Sequence, residues 1–167
     1  DEVRIPKSYM LVPPEAYTFA IDAVLAGANA YMGSTFTGLA RAAFEEALEY
    51  SKNRVQGGVP INEHQLVQKK LFDMFVKVET SRQLSRAALI YNENQFPPGT
   101  QYSITSKVYC TTAAFEVASD ALQLHGGYGL TKDMLIEKLF RDARASMIED
   151  GSNDILSLTA AKKIIEQ

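Results

Sequence analysis

Residues 36–48 read Phe36-Thr-Gly-Leu-Ala-Arg-Ala-Ala-Phe-Glu-Glu-Ala-Leu48, and the apolar side chains in this stretch recur every three or four residues. That spacing puts them on one face of an α-helix, the face that packs against a core. No proline interrupts the chain from Glu15 to Ser51. The sequence therefore predicts one long helix over 15–51, because proline is the residue that most strongly breaks a helix.

The same helical spacing returns further along the chain, between breaks that are rich in glycine and proline. Four more helices are predicted: one from about residue 67 to the break at 96–99, one over 100–124, a shorter one over 132–146, and a last one through Ile165 with Ser152 as its N-cap. Long helices joined by short loops favour antiparallel packing. The sequence thus predicts an all-α fold, an up-and-down four-helix bundle with an additional short terminal helix, over 15–167.

The first fourteen residues differ from the rest. Residues 1–7 alternate charged and apolar side chains, which is typical of an extended strand, and Pro13-Pro14 then excludes regular structure. We interpret 1–14 as a linker from an upstream domain. No sheet is expected beyond these first residues.

Composition excludes several classes of protein. With 167 residues, 46% hydrophobic and 22% charged, the chain is long enough for one domain with its own core. A net charge of −3 without a polybasic stripe argues against nucleic-acid binding. No apolar run approaches the ~20 residues that cross a bilayer. The single cysteine, Cys110, falls in an apolar helical pattern, so we interpret it as a core residue. Because a single cysteine cannot form a disulfide within the chain, it also favours a cytoplasmic location.

A metal site is not expected. The two histidines are His64 and His125, and neither has a glutamate three residues before it, so the paired Glu-x-x-His motifs of di-iron bundles are absent from the sequence. His64 is interpreted as a surface residue at a helix end. His125 remains a candidate because its neighbours are polar and glycine-rich.

Two segments exceed what a plain bundle requires. Residues 123–129 read Gln-Leu-His-Gly-Gly-Tyr-Gly, where one glycine is enough to end a helix, and the second and third indicate that the backbone closely approaches another chain or a ligand. Residues 149–154 read Glu-Asp-Gly-Ser-Asn-Asp. Local chemistry alone favours helix capping for this second segment.

Both segments, with their spacing, resemble the C-terminal helical domain of the acyl-CoA dehydrogenases. The resemblance covers almost the whole chain, with matching stretches in the same order: 3–6 for the interdomain link, 38–43 for the first bundle helix, 50–54, Pro60-Ile61 and Gln65 for the first loop and second helix, 123–129, Glu137-Lys138-x-x-Arg141-Asp142-Ala143, and an acidic residue followed by Gly151-Ser152.

The resemblance implies an FAD-dependent oxidoreductase of fatty acid metabolism that oxidises the Cα–Cβ bond of an acyl-CoA thioester. A carboxylate takes the α-proton while the β-hydride passes to the flavin. The implied catalytic base is Asp150, and Gly151 would contact the substrate. The implied FAD contacts are Arg54 and Gln65 on the diphosphate and adenosine side, Gln123, Leu124, His125, Gly126 and Gly127 toward the FAD of a neighbouring subunit, and Ser152 and Asp154. The implied partners are a second copy, in a homodimer or homotetramer, and an electron-transferring flavoprotein. Alone, this chain is expected to be inactive and to hold FAD weakly or not at all.

Three single positions and one four-residue stretch depart from the family pattern. Asp150 replaces the usual glutamate, Asp154 a glutamine, Gly57 a phenylalanine, and residues 26–29 an Asp-x-x-Arg-like motif. These departures favour a branched, alicyclic or otherwise unusual thioester, or the non-CoA substrate of a related flavin oxidase. They also motivate an alternative: a catalytically inactive interaction or oligomerisation module with the same fold.

Overall fold

The computed structural model describes residues 2–166, and five α-helices account for most of them. Their bounds are α1 (Tyr17–Asn53), α2 (Gln65–Asn94), α3 (Thr100–His125), α4 (Leu135–Ser146) and α5 (Asn153–Ile165). Short 3-10 turns lie at Lys7–Tyr9, Pro14–Ala16, Ile61–Glu63 and Gly126–Leu130. The predicted all-α bundle is confirmed, and Ser152 is the N-cap of α5, its hydroxyl accepting the Ile155 N–H at 3.4 Å.

Helix α3 lies at the centre of the bundle and contacts each of the other four helices. Most of its buried residues are small, as are most of those on the facing side of α1, and a Cβ at Gly33 of α1 would lie 2.1 Å from Ser106 Oγ of α3, so the two backbones approach closely. The core also takes larger side chains from α2 and α4; its main buried members are Ala40, Ala43, Ala47, Met74, Val78, Ala114, Val117, Ala118, Ala121, Ile136 and Leu139. Cys110 is completely buried, which confirms it as a core residue.

The expectation about strands is wrong in one respect. Within residues 2–166 no strand forms in the first fourteen, and a short antiparallel pair instead joins α1 to α2: β1 (Val55–Gln56) and β2 (Val59–Pro60). Gly57 and Gly58, both with positive φ (64° and 84°), form the two-residue turn between them. A type I′ turn needs positive φ at both central positions, and glycine adopts it readily. The two glycines therefore allow the chain to form a tight hairpin here.

Helix α4 begins at Leu135, three residues later than predicted. The residues before it form a turn closed by the Met134 N–H, which donates to the carbonyl of Thr131 at 3.2 Å. No helix within residues 2–166 is long and apolar enough to cross a membrane.

Candidate functional site

One group of predicted site residues lines a groove where α1 ends beside the end of α3. Its volume is about 400 Å³. We call it the glycine groove; its lining residues are Tyr50, Arg54, Gln56, Gln123, Leu124, His125, Gly126, Gly127 and Tyr128. The structure thus brings Arg54 together with all five predicted residues of 123–127, although 69 positions separate Arg54 from Gln123 in the sequence.

His125 forms the floor of the glycine groove. Its ring stacks on that of Tyr50, with centroids 4.1 Å apart and planes 27° apart. Its Nδ1–H donates to the carbonyl of Ala121 at 2.7 Å. The other ring nitrogen, Nε2, is buried and has no hydrogen-bond partner within residues 2–166. Because unpartnered buried polar atoms are rare, this nitrogen is the polar atom of the groove most in need of a ligand partner.

The three glycines after His125 have different roles. Gly126 has φ of 62°, a conformation that ends α3 and that side chains disfavour. Gly127 is exposed, and no atom of residues 2–166 lies within 4 Å of the position that a Cβ would take there. Gly129 is buried, and a Cβ would lie 2.8 Å from His125 Cβ and 3.0 Å from the carbonyl oxygen of Leu122. The third glycine therefore accommodates its own helix end, which corrects the expectation that it approaches another chain or a ligand.

Arg54 and Gln65 sit on either side of the hairpin. Arg54 is the exposed residue that ends α1, and no carboxylate of residues 2–166 forms an ion pair with it. Gln65 is the first residue of α2 and is exposed, but it does not line the glycine groove. His64 lies 3.1 Å, at Nε2, from the carbonyl oxygen of Gln56, so it braces the hairpin as an exposed residue at the start of a helix.

The second group of predicted site residues lies on the connection between α4 and α5, residues 147–152, which we call the acidic turn. Asp150 and Glu149 are both exposed. Asp150 has φ of 51°, and within residues 2–166 it is the one residue other than glycine with positive φ. Aspartate tolerates this left-handed conformation better than most side chains. The backbone therefore suits an aspartate at the position where the family pattern has glutamate.

The acidic turn is attached to α3 through Asn153, the first residue of α5. The Asn153 side chain donates from Nδ2 to the hydroxyls of Thr111 (3.0 Å) and Thr112 (3.3 Å). The Asn153 backbone N–H donates to the carbonyl of Met147 at 3.0 Å and closes the turn. Ser152 is half-buried at the cap, and Asp154 is exposed in the first turn of α5.

Sequence reasoning missed Lys107. This lysine is completely buried, with 0% of its surface exposed, and its Nζ donates to the carbonyl of Gly151 (2.8 Å) and to Asn153 Oδ1 (2.9 Å). Burial lowers its pKa, while the charges of Asp150 and Glu149 oppose that shift. One signal was available: Lys107 stands three and seven positions before the core residues Cys110 and Ala114, so it shares their helix face.

The glycine groove and the acidic turn lie far apart along α3. Lys107 holds the turn at one point of the helix, and His125 lines the groove 18 residues later. At 1.5 Å per residue, that separation is about 27 Å. One copy of the chain therefore does not bring all its predicted cofactor residues to one place. Within residues 2–166, no three His, Cys, Asp or Glu side chains are grouped so that they could hold a metal ion.

Comparisons with known proteins agree with this architecture. Residues 20–165 match the family model described as acyl-CoA dehydrogenase, C-terminal domain. The chain is 32% identical to cyclohexane-1-carbonyl-CoA dehydrogenase of Geobacter metallireducens, over 100% of the chain and 44% of that protein. The structure of butyryl-CoA dehydrogenase from Megasphaera elsdenii superposes with a TM-score of 0.83 at 30% identity, over 88% of this chain and 38% of that one.

A third similar protein is an oxidase. Nitroalkane oxidase, a flavoprotein with an aspartate and an arginine that have roles in its reaction, superposes with a TM-score of 0.81 at 31% identity, over 88% of this chain and 35% of that one. The chain spans less than half the length of each of these three proteins.

Proposed function

This chain belongs to the acyl-CoA dehydrogenase family, as its C-terminal domain, and we propose that it supplies part of an FAD site and the catalytic base for the α,β-dehydrogenation of an acyl-CoA thioester. The observation that carries this proposal is the arrangement of Asp150 on an exposed, anchored turn at the start of α5. The whole protein acts as an oxidoreductase on a thioester substrate.

The glycine groove suits the diphosphate and adenosine side of FAD. Arg54 offers a guanidinium without an internal carboxylate partner, and this group binds phosphate oxygens well. His125 offers an unpartnered Nε2, and Gly127 leaves open space along the backbone. Gln123 and Leu124 complete the wall, and Gln65 extends the site from the start of α2.

Asp150 carries out the proton transfer. One of its carboxylate oxygens accepts the proton from the substrate Cα, and the electron pair of that C–H bond becomes part of the new Cα–Cβ double bond. Bound FAD would supply the acceptor for the hydride that leaves Cβ. Gly151 contacts the substrate beside the base, and Ser152 and Asp154 contact the FAD of the same site. A positioned general base contributes typically about 10²–10⁴-fold to a rate.

Two copies are needed for a complete site. About 27 Å of α3 separates the glycine groove from the acidic turn, and the family resemblance assigns residues 123–127 to the FAD of a neighbouring subunit, so we infer that the groove of one copy completes the site of its neighbour. The assembly is a homodimer or homotetramer. Exposed apolar side chains on α5 are available for such contacts: Ile155, Leu158, Ile164 and Ile165.

The substrate is a branched or alicyclic acyl-CoA. Two observations support this class: Asp150 has a shorter reach than glutamate, and Asn29 stands, completely buried, where the family pattern has an arginine. The similar protein from Geobacter metallireducens is named for cyclohexane-1-carbonyl-CoA. An electron-transferring flavoprotein then reoxidises the enzyme.

The test compares two neighbouring carboxylates in the full-length, flavin-loaded protein. Cyclohexane-1-carbonyl-CoA is the probe, with butyryl-CoA and nitroethane as comparisons, and flavin bleaching is followed by rapid mixing. Asp150→Asn should slow flavin reduction by at least about 10³-fold with flavin still bound. Asparagine also accepts the left-handed backbone at this position, so the turn is preserved. Glu149→Gln, the matched control, should change the rate by less than about threefold.

Three other outcomes would change the assignment of the base, the reaction or the function. The reverse ranking would assign the base to Glu149. If nitroethane alone bleaches the flavin, the chain serves a flavin oxidase rather than a dehydrogenase. If neither carboxylate matters, the alternative of a catalytically inactive interaction module replaces this proposal.

A further inference from the structure

We propose that Lys107 is a positioning residue for the reaction: its buried Nζ fixes the acidic turn, and with it the direction from which Asp150 meets the substrate. This inference rests on the proposed role of Asp150 as the base. Lys107 does not touch the reacting atoms, so its effect on the rate passes through Asp150.

Lys107 is a poor choice for stability alone. Its side chain is completely buried, yet both of its hydrogen-bond acceptors are neutral oxygens, and none of the ion pairs within residues 2–166 includes it. Removing an ammonium from water is costly, and the charges of Asp150 and Glu149 offset only part of that cost, since the pKa of Lys107 is still lowered; an apolar side chain of similar volume often does better in a core. The presence of Lys107 is therefore better explained by the turn that it holds than by a contribution to core stability.

The two acceptors of Lys107 lie next to the proposed base. Gly151 directly follows Asp150, and Asn153 opens α5, so Lys107 holds the turn at two points just after the base. The Asn153 N–H to the Met147 carbonyl (3.0 Å) closes the segment that contains Asp150. Asp150 cannot change its backbone direction without disturbing at least one of these three bonds.

Apart from the bonds of Lys107 and Asn153, the acidic turn is held by backbone bonds to the end of α4, from the Ile148 and Glu149 N–H groups to the carbonyl of Ala145. Residues 148–151 are all exposed, and the conformations of Asp150 (φ 51°) and Gly151 (φ 98°) are not those of a continuing helix. Although aspartate tolerates left-handed backbone better than most residues, this conformation still costs free energy, and contacts from the surroundings stabilise it. Lys107 and Asn153 supply such contacts from inside the bundle.

The closing experiment uses the full-length, flavin-loaded protein and cyclohexane-1-carbonyl-CoA. Lys107→Met keeps the volume and removes the donor. We expect the limiting rate of flavin reduction to fall about 100-fold, since a misplaced reacting group costs roughly that much. Because Gly151 and Ser152 lie on the same turn, flavin affinity and thioester affinity should also fall, by a smaller factor than the limiting rate. Lys107→Gln keeps an N–H donor but has a shorter side chain, so its limiting rate of flavin reduction should lie between those of Lys107→Met and wild type. It replaces Lys107→Met in the test if that variant does not fold.

Ser103→Ala is the matched control. Ser103 is also buried on α3, one turn before Lys107. Its hydroxyl accepts a hydrogen bond from Asn92 at 2.8 Å, so its side-chain partner lies on α2 and not in the acidic turn. Its loss should lower stability without changing the reduction rate. In the same proteins without substrate, hydrogen exchange at residues 151–156 should speed up about tenfold in Lys107→Met and remain unchanged in Ser103→Ala.

A double variant separates positioning from general damage. If Lys107 acts through Asp150, Lys107→Met combined with Asp150→Asn should reduce flavin no more slowly than Asp150→Asn alone. A further loss in the double variant, an unchanged rate in Lys107→Met, or unchanged exchange at 151–156 would each overturn this inference while leaving Asp150 as the base. If Asp150→Asn itself has no effect, the proposed function and this inference both fail.

Discussion

The glycine groove and the acidic turn are built in opposite ways. The groove is formed by two helix ends and the short segments next to them, and its backbone shape follows from the residues in it, chiefly Gly126. The acidic turn holds its shape through Lys107, which lies 44 and 46 positions from its two acceptors. A substitution in the groove can therefore change ligand binding while leaving the fold alone, whereas the turn depends on a residue outside it.

The largest effect is expected from placing a negative charge in the groove. Gly127→Glu has room for its side chain and needs no unusual backbone, because Gly127 does not have positive φ and its surroundings are open. Its carboxylate should repel the FAD diphosphate and weaken flavin binding in the full-length protein by about 100-fold or more, as like charges brought together cost several kcal/mol. Flavin fluorescence titration measures this affinity.

Gly127→Ala is the control for that change. It adds a methyl group to the same open position without charge, so it should keep flavin affinity within about threefold. Circular dichroism should show the same helical content in both variants. Equal flavin binding by Gly127→Glu and wild type would remove the groove from the FAD site.

A smaller effect distinguishes two glycines by their backbone. Gly126→Ala must adopt φ of 62° and should lower the free energy of unfolding by about 1–3 kcal/mol. Gly27 lies inside α1, and a Cβ there would meet no atom within 4 Å beyond its chain neighbours and its own helix backbone. Gly27→Ala should therefore raise the free energy of unfolding by about 0.5–1 kcal/mol. Urea denaturation of the two variants measures both changes. An unchanged or higher free energy of unfolding in Gly126→Ala would mean that the left-handed conformation of Gly126 does not shape the groove.

This contrast also explains how far the sequence could be read. Apolar spacing predicted five helices because one face of each is buried, and the glycines of 123–127 marked the groove because they act locally. The hairpin was missed since two-residue strands are too short to show an alternating pattern. Gly129 was misread because the atoms it meets belong to its own helix end. Lys107 was missed because its acceptors are distant in sequence. The roles of Asp150 and Arg54 came from a family resemblance, since a carboxylate and a guanidinium are ordinary surface groups.

The smallest effect is a pH dependence that belongs to the turn and not to the groove. Burial lowers the pKa of Lys107 below the ordinary value of 10.5. Between the two values the unfolded chain binds more protons than the folded chain, so this residue makes the free energy of unfolding rise with pH as the pH approaches about 10.5. The raised pKa of the buried Cys110 thiol acts in the opposite direction and is common to both proteins, so the wild-type curve should rise relative to that of Lys107→Met. Urea denaturation between about pH 8 and pH 10.5 measures it, and parallel curves for the two proteins would contradict it.

The most direct test of the central claim asks whether the groove and the turn of one copy serve different cofactors. Full-length subunits carrying Gly127→Glu are co-expressed with subunits carrying Asp150→Asn, each with its own affinity tag, and mixed oligomers are isolated through both tags. Each variant alone should be inactive. If the groove of one copy completes the site of its neighbour, mixed oligomers contain some sites with both parts intact and should regain at least about a quarter of wild-type flavin reduction. Mixed oligomers as inactive as the single variants would contradict the account, because every site would then draw its groove and its base from the same copy.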